Sequence, residues 1–151
     1  MMREDRVEVK LGEITELNPK LLNKDKIDGE LEVQFLPMKL VEEVSNKIHL
    51  HEIRKFKEVQ KKSYTYFAES DVLFAKVTPC MENGKIAIAK NLKNGIGYGS
   101  SEFHIFRCSE IVLNNFLFYY LIQEAFRSEA QHNMTGAVGL RMVPKIFLYK
   151  H

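Results

Sequence analysis

Between Leu73 and Lys90 the chain reads LFAKVTPCMENGKIAIAK. Two apolar runs flank a short segment that holds Lys76, Thr78, Glu82, Asn83 and Lys85. Ser100, Ser101, Glu102 and His104 then open a further run. Lysine and hydroxyl side chains suit phosphate oxygens, while Asn, Gln and Glu can pair with the edges of nucleobases. A rigid sheet presenting such loops makes a recognition surface. A plainer role fits the same residues: strand-end lysines solvate, and Asn83-Gly84 makes a tight turn.

Catalytic patterns are harder to find. Gly95, Gly97 and Gly99 have the look of a phosphate-cradling loop, but a helix should open after such a loop and here a strand is expected. There is no GxxxxGK[ST] segment and no GxSxG elbow. Cys80 and His104 form a conceivable thiol–imidazole pair without a third group to orient them, and a small buried thiol is the simpler reading of Cys80. Glu82 and Glu102 are not brought together by any pattern. The two cysteines, Cys80 and Cys108, have no zinc-ligand spacing, and read as reduced thiols of a cytoplasmic protein. His49 and His51 read as solvated. No metal site is expected.

These residues need a scaffold. Glu30 to Leu36 alternates as a strand ended by Pro37, and Lys39 to Ser45 fits a brief helix. Tyr64 to Phe67 fits a strand, with Tyr64 and Tyr66 assigned to the core. Asp71 to Val77 and Lys85 to Ala89 are apolar on both sides, as covered strands are. Gly95 to Gly99 reads as a loop and Glu102 to Arg107 as a strand. Val7 to Leu17 is a short strand or turn. One helix is expected over Asn114 to Gln131, capped by Asn114 or Asn115, followed by a Gly-rich loop over Asn133 to Gly139. The pattern is α+β: a single domain over residues 1–151, with a twisted, mostly antiparallel sheet and a few helices.

Overall net charge is +2, which by itself does not indicate nucleic acid. Its distribution is uneven. Residues 1–32 carry six basic and nine acidic side chains, whereas residues 45–65 carry six basic and two acidic ones. Such polarisation can offer one basic face to an anion. The N-terminus lacks the apolar core of a signal peptide, and the run from Phe116 to Ile122 is too short to span a bilayer.

The stretch from Phe67 to Ala89, followed by Gly95 to Arg107, resembles the target recognition domain of type I restriction-modification specificity (S) subunits. Val9 to Ile14 is similar to the usual start of that domain, Val33 to Met38 to an early strand, and Phe126 to Gln131 with Met134 to Leu148 to its end. The resemblance implies sequence-specific recognition of double-stranded DNA by a non-catalytic component. It also implies methyltransferase (M) and restriction (R) subunits as partners, which would hold S-adenosylmethionine, ATP and Mg. This chain would then need no cofactor of its own.

On that reading Lys39, Lys76, Lys85 and Arg141 are candidates for phosphate or groove contacts. Gln34, Thr78, Asn83, Ser100, Ser101, Glu102, His104 and Thr135 are candidates for polar readout. A full S subunit has two recognition domains joined by long helices. One domain is expected here, with the spacer helix absent or truncated after about residue 148. A second S half or a second copy is therefore a possible partner. The rival readings are a stand-alone nucleic-acid-binding module, an inactive remnant of a specificity gene, and a cysteine-dependent hydrolase.

Overall fold

A computed structural model describes residues 10–60, 63–109, 113–136 and 141–151, with the backbone alone for 149 and 150. Val7 to Val9, Lys61, Lys62 and residues 137–140, which the sequence reading included, lie outside the described residues.

The strands form two four-stranded sheets. The first holds β1 (Thr15–Leu17), β5 (Val72–Ala75), β6 (Ile86–Ile88) and β8 (Phe103–Cys108), in the order β1-β8-β5-β6, antiparallel throughout. The second holds β2 (Glu32–Leu36), β3 (Ile53–Lys55), β4 (Thr65–Ala68) and β7 (Ile96–Gly99), in the order β3-β2-β7-β4. Its β2 and β7 run parallel, and its other pairs are antiparallel. The α+β, mostly antiparallel expectation holds, with the strands divided between two sheets rather than gathered in one.

Alternation of side chains across each strand explains the layering. Leu73, Ala87, Phe103 and Ile105 of the first sheet pack with Leu36 and Phe67 of the second. On the opposite face, Val72, Phe74, Ile86, Ile88 and Phe106 pack under helices. The central strand β5 is thus buried on both faces, as its unbroken apolar run predicts. Burying a side chain such as Leu73 or Phe74 contributes about 1.5–3 kcal/mol. The outer face of the second sheet, with Val33 and Tyr98, is covered by Phe56 and Val59 of α2 (Phe56–Val59).

The helical layer comprises α1 (Leu11–Ile14), α3 (Asn114–Ile122), α4 (Glu124–His132) and α5 (Lys145–Lys150). The expected helix over 114–131 is broken at Gln123, whose φ/ψ of −59/138 is not helical. With the break, Leu117, Leu121, Phe126 and Ala130 of the two short helices all reach one core. Leu113 occupies the cap of α3, without a side-chain cap bond. Asn114 instead donates to the Ser70 carbonyl at 3.2 Å, so neither asparagine caps the helix. The expected helix over Lys39 to Ser45 is a 3₁₀ turn over Met38–Leu40 followed by isolated β-bridges.

Gly95 to Gly99 is not a loop. Ile96–Gly99 is an inner strand, with β2 on one side and β4 on the other. A Cβ on Gly97 would lie 2.2 Å from the Phe67 ring, and one on Gly99 would lie 2.3 Å from the Leu36 carbonyl oxygen. The glycines therefore serve close strand approach rather than a turn.

Gly97→Ala should lower stability by about 1–3 kcal/mol through overpacking. Gly99→Ala should cost at least as much, because its obstacle is backbone and cannot rotate away. Urea unfolding followed by circular dichroism reads both. An unchanged midpoint for Gly99→Ala would contradict the pairing of β7 with β2.

Candidate nucleic-acid interface

The strand directions bring several loops to one end of the two sheets. β5 ends at Ala75 opposite Phe103, where β8 begins, and Phe74 stands opposite Ile86, where β6 begins. β2 and β7 end side by side at Leu36 and Gly99. The turn after Pro37, the 76–85 loop and the 100–102 turn therefore share one edge.

The 76–85 loop is compact. Met81 NH bonds to the Val77 carbonyl at 2.9 Å, Asn83 NH to Pro79 at 3.0 Å and Lys85 NH to Cys80 at 3.1 Å. Thr78-Pro79 is a cis peptide. Met81 anchors the loop from inside, fully buried. Gly84 sits at φ +75°, and a Cβ there would meet Val44 at 2.9 Å. Asn83-Gly84 is thus a turn, with the Asn83 side chain exposed on it.

Residues 134–136 and 141–143 dock beside this loop. Val143 NH bonds to the Lys76 carbonyl at 2.7 Å, Thr78 NH to Arg141 at 3.1 Å, and Thr135 and Met142 exchange two backbone bonds of 2.9 Å. Lys76 NH bonds to the Glu102 carbonyl at 2.9 Å. Lys76, Thr78, Asn83, Lys85, Ser100, Ser101, Glu102, Thr135 and Arg141 consequently belong to one edge. Lys39 joins it from the neighbouring turn, because Lys85 Nζ donates to the Met38 carbonyl at 3.2 Å.

Their availability differs. Lys39, Asn83, Ser101, Glu102, Thr135 and Arg141 are exposed. Lys76 is half-buried, and burial pulls its ammonium pKa below the ordinary value, against the opposing charge of Glu102. The Thr78 hydroxyl is engaged by the Glu82 carboxylate. Ser100 Oγ accepts from Glu102 NH at 3.0 Å, which leaves its own O–H to donate.

Two candidates are placed differently. Gln34 is 2% exposed; its amide donates to the Leu50 and Glu52 carbonyls at 3.0 and 2.9 Å and accepts from Lys93 NH at 3.2 Å. It stitches the second sheet to its surroundings, away from the edge. His104 is 3% exposed and lies just behind the edge. Its Nε2 donates to the Val143 carbonyl at 2.8 Å, and Nδ1 accepts from Asn18 Nδ2 at 3.2 Å. Burial lowers its pKa to about 4, against the Val143 bond, and the Lys76 and Lys145 charges add to the lowering. Its ring is neutral and fully used. No nitrogen is left to activate Cys80, whose own thiol is pushed up by burial. His104 therefore cannot serve as the base of a Cys80–His104 pair.

The basic segment also changes meaning. Lys55 and Lys57 both close on Glu30, holding its carboxyl down near 2, and Arg54 pairs with Glu52 at 3.4 Å. His49 is exposed, as expected, and bonds Glu42 at 2.7 Å. The described part of this segment is largely neutralised, so it is not the basic face that its composition suggests.

Two residues not among the candidates shape the edge. Arg127 of α4 donates to the Glu82 carbonyl at 2.6 Å and to the Ile122 carbonyl at 2.9 Å, tying the 76–85 loop to the break after α3. Glu82 Oε1 is buried without a hydrogen-bond partner among the described residues. The arginine had no sequence signal, since its partners are backbone oxygens remote in the chain. Among the described residues no cluster of His, Cys, Asp and Glu could hold a metal, and no helix is long and apolar enough to cross a membrane.

No family model matches the sequence. The chain is 42% identical over 138 residues to the type I restriction enzyme EcoAI specificity subunit of Escherichia coli, over 91% of this chain and 23% of that protein. It is 38% identical over 140 residues to the EcoEI specificity subunit of Escherichia coli, over 92% of this chain and 23% of that protein. The chain thus spans about a quarter of the length of these relatives. Its fold matches the crystal structure of an HsdS subunit from Thermoanaerobacter tengcongensis with a TM-score of 0.67 at 18% identity, over 94% of this chain and 35% of the other. It also matches a chain from work on complex assembly and conformational transition of the type I R-M system, with a TM-score of 0.72 at 16% identity, over 94% and 35% of the two chains.

Stability should fall between about pH 6.5 and about pH 4. There the unfolded chain protonates His104 and the folded chain does not, a difference worth up to about 3 kcal/mol. His104→Gln should flatten this limb relative to the parent protein. Urea midpoints measured from pH 7 to pH 4 compare the two. Parallel limbs would contradict a neutral buried His104.

Proposed function

We propose that the chain is a recognition domain of the type I restriction enzyme specificity subunit family, which it resembles over about a quarter of its relatives' length, and that it reads a short sequence in double-stranded DNA without catalysing a reaction. The observation that carries this reading is the convergence of polar loops on one edge of a two-sheet frame buried on both faces. Lys39 and Arg141 form no ion pair among the described residues, and suit phosphates. Lys76 and Lys85 flank them, half-buried. Asn83, Ser101, Glu102 and Thr135 are exposed between these cations and suit base edges. Gln34 and His104 hold the frame and leave the set of readers.

Glu43, Glu82 and Glu102 lie on or beside the same edge, so attraction to DNA is modest and readout depends on close contact rather than bulk charge. The partners in this reading are methyltransferase and restriction subunits, and a second S half or a second copy of the domain. S-adenosylmethionine, ATP and Mg are assigned to the partner subunits and none to this chain. The setting is cytoplasmic.

Selection of bound duplexes from a random DNA library at low salt tests the proposal, with an enriched short motif as the expected result. Binding that only falls with salt, without enrichment, would favour an inactive remnant. Enrichment without capture of a methyltransferase subunit would favour a stand-alone module.

Lys39→Ala and Arg141→Ala should each weaken binding to all sequences alike and lower the salt slope by about 0.9. Asn83→Ala or Glu102→Ala should instead alter the enriched sequence. An unchanged salt slope in both cation variants would contradict the placement of the edge on DNA.

A further inference from the structure

A second surface lies off the loop edge. The connection following β1 crosses the outer face of the second sheet and leaves a cleft of about 430 Å³. Such a volume falls within the roughly 300–1,000 Å³ of small-ligand sites. One wall is aromatic, made by Tyr64, Tyr66 and Tyr98, and Lys20, Lys24 and Gln60 stand around it. Among the described residues no acidic side chain lines it.

We propose that this cleft is a nucleotide subsite, with a base stacked on Tyr64 and a phosphate held by Lys20 and Lys24.

Tyr64 was expected in the core, yet it is 39% exposed. It is braced all the same: its ring meets Phe35 edge-on at 4.9 Å, and Arg54 covers Phe35 at 5.0 Å. Tyr66 leans on Tyr98 at 5.7 Å and is covered by Arg107 at 5.9 Å, so it backs the cleft while Tyr64 offers the open ring. Rings held this way lose little freedom when a planar group stacks on them. Lys20 and Lys24 form no ion pair among the described residues, in contrast to Lys55 and Lys57 on Glu30. Aromatic faces alone would also accept a sugar or an apolar side chain. Unpaired lysines in a wall without carboxylates select an anionic ligand, and a nucleotide combines the planar and anionic parts.

The cleft is continuous with the proposed DNA edge. Thr65 of its wall pairs with Gly99, and the next residue along is Ser100. Asn18, which lines the cleft, bonds His104, whose other nitrogen holds Val143 beside Lys76. A nucleotide could therefore come from an unpaired position in bound DNA, which rests on the reading above, or from a free nucleotide pool.

The test uses 2-aminopurine, whose fluorescence falls on stacking. The full chain is titrated with 2-aminopurine deoxyribonucleoside monophosphate, with a duplex carrying one unpaired 2-aminopurine, and with the same duplex fully paired. Quenching of the unpaired probe is expected. Tyr64→Ala should weaken its binding about tenfold, and Tyr64→Phe should retain it. Lys20→Ala with Lys24→Ala should weaken it further, while affinity for the paired duplex stays within about twofold of the parent. Tyr64-dependent quenching of the monophosphate alone would support the subsite and assign it to free nucleotide. Absence of Tyr64-dependent quenching with either probe would overturn the subsite. Affinity for the paired duplex separately reports whether the loop edge binds DNA.

Discussion

Burial of β5 on both faces is the constraint on which the structure depends. Its side chains must be apolar in both directions, one set toward the other sheet and one toward the helices. A strand of this kind has no polar face to offer a ligand. Hydrogen-bonding chemistry is displaced to its ends, where the backbone leaves the sheet and side chains meet solvent. This is why Lys76, Thr78, Asn83 and Lys85 crowd into one short loop. The frame is stiff because it is packed, and the loop is held by Arg127 and the 141–143 backbone while Asn83 stays exposed on it.

Charge pairing then sorts the cations. An ammonium already held by a carboxylate has little left to give a phosphate, and exposed pairs contribute little to stability in return. Lys55, Lys57 and Arg54 fall into that group. The pair of Arg107 with Asp71 differs, because Asp71 is 2% exposed and also accepts from Ala68 NH at 2.9 Å. Two bonds of 2.9 Å join the side chains, and the buried carboxylate keeps Arg107 firmly protonated. That pair closes the end of the first sheet opposite the loops and serves the frame.

His104 connects the two surfaces. It stands on the helix side of β8, opposite Phe74, where a polar ring must find two partners or go unsatisfied. Asn18 reaches it from the end of β1 and also accepts from Ile105 NH at 2.7 Å. Val143 reaches it from the opposite side. A buried neutral histidine thereby fixes where the 18–24 connection and the 141–143 segment sit, one bordering the tyrosine cleft and the other the loop edge.

The sequence by itself determined the covered strands, the loop between them and the resemblance that names their use. Those features depend on local alternation and on a long contiguous motif. It also determined that Asn83-Gly84 would turn, since glycine takes the positive φ observed at Gly84 without the cost a Cβ would add. What tertiary structure decided is which polar side chains remain free. Gln34 and His104 have the chemistry of readers, but residues remote in the chain take both amide hydrogens and the oxygen of Gln34 and both ring nitrogens of His104. The glycines of Ile96–Gly99 look like loop residues until Phe67 and Leu36 are placed against them. The helix from Asn114 looks continuous, yet it breaks at Gln123, where Arg127 ties the Ile122 carbonyl to that of Glu82. In each case the deciding contact is far away in sequence, and local pattern carries no record of it.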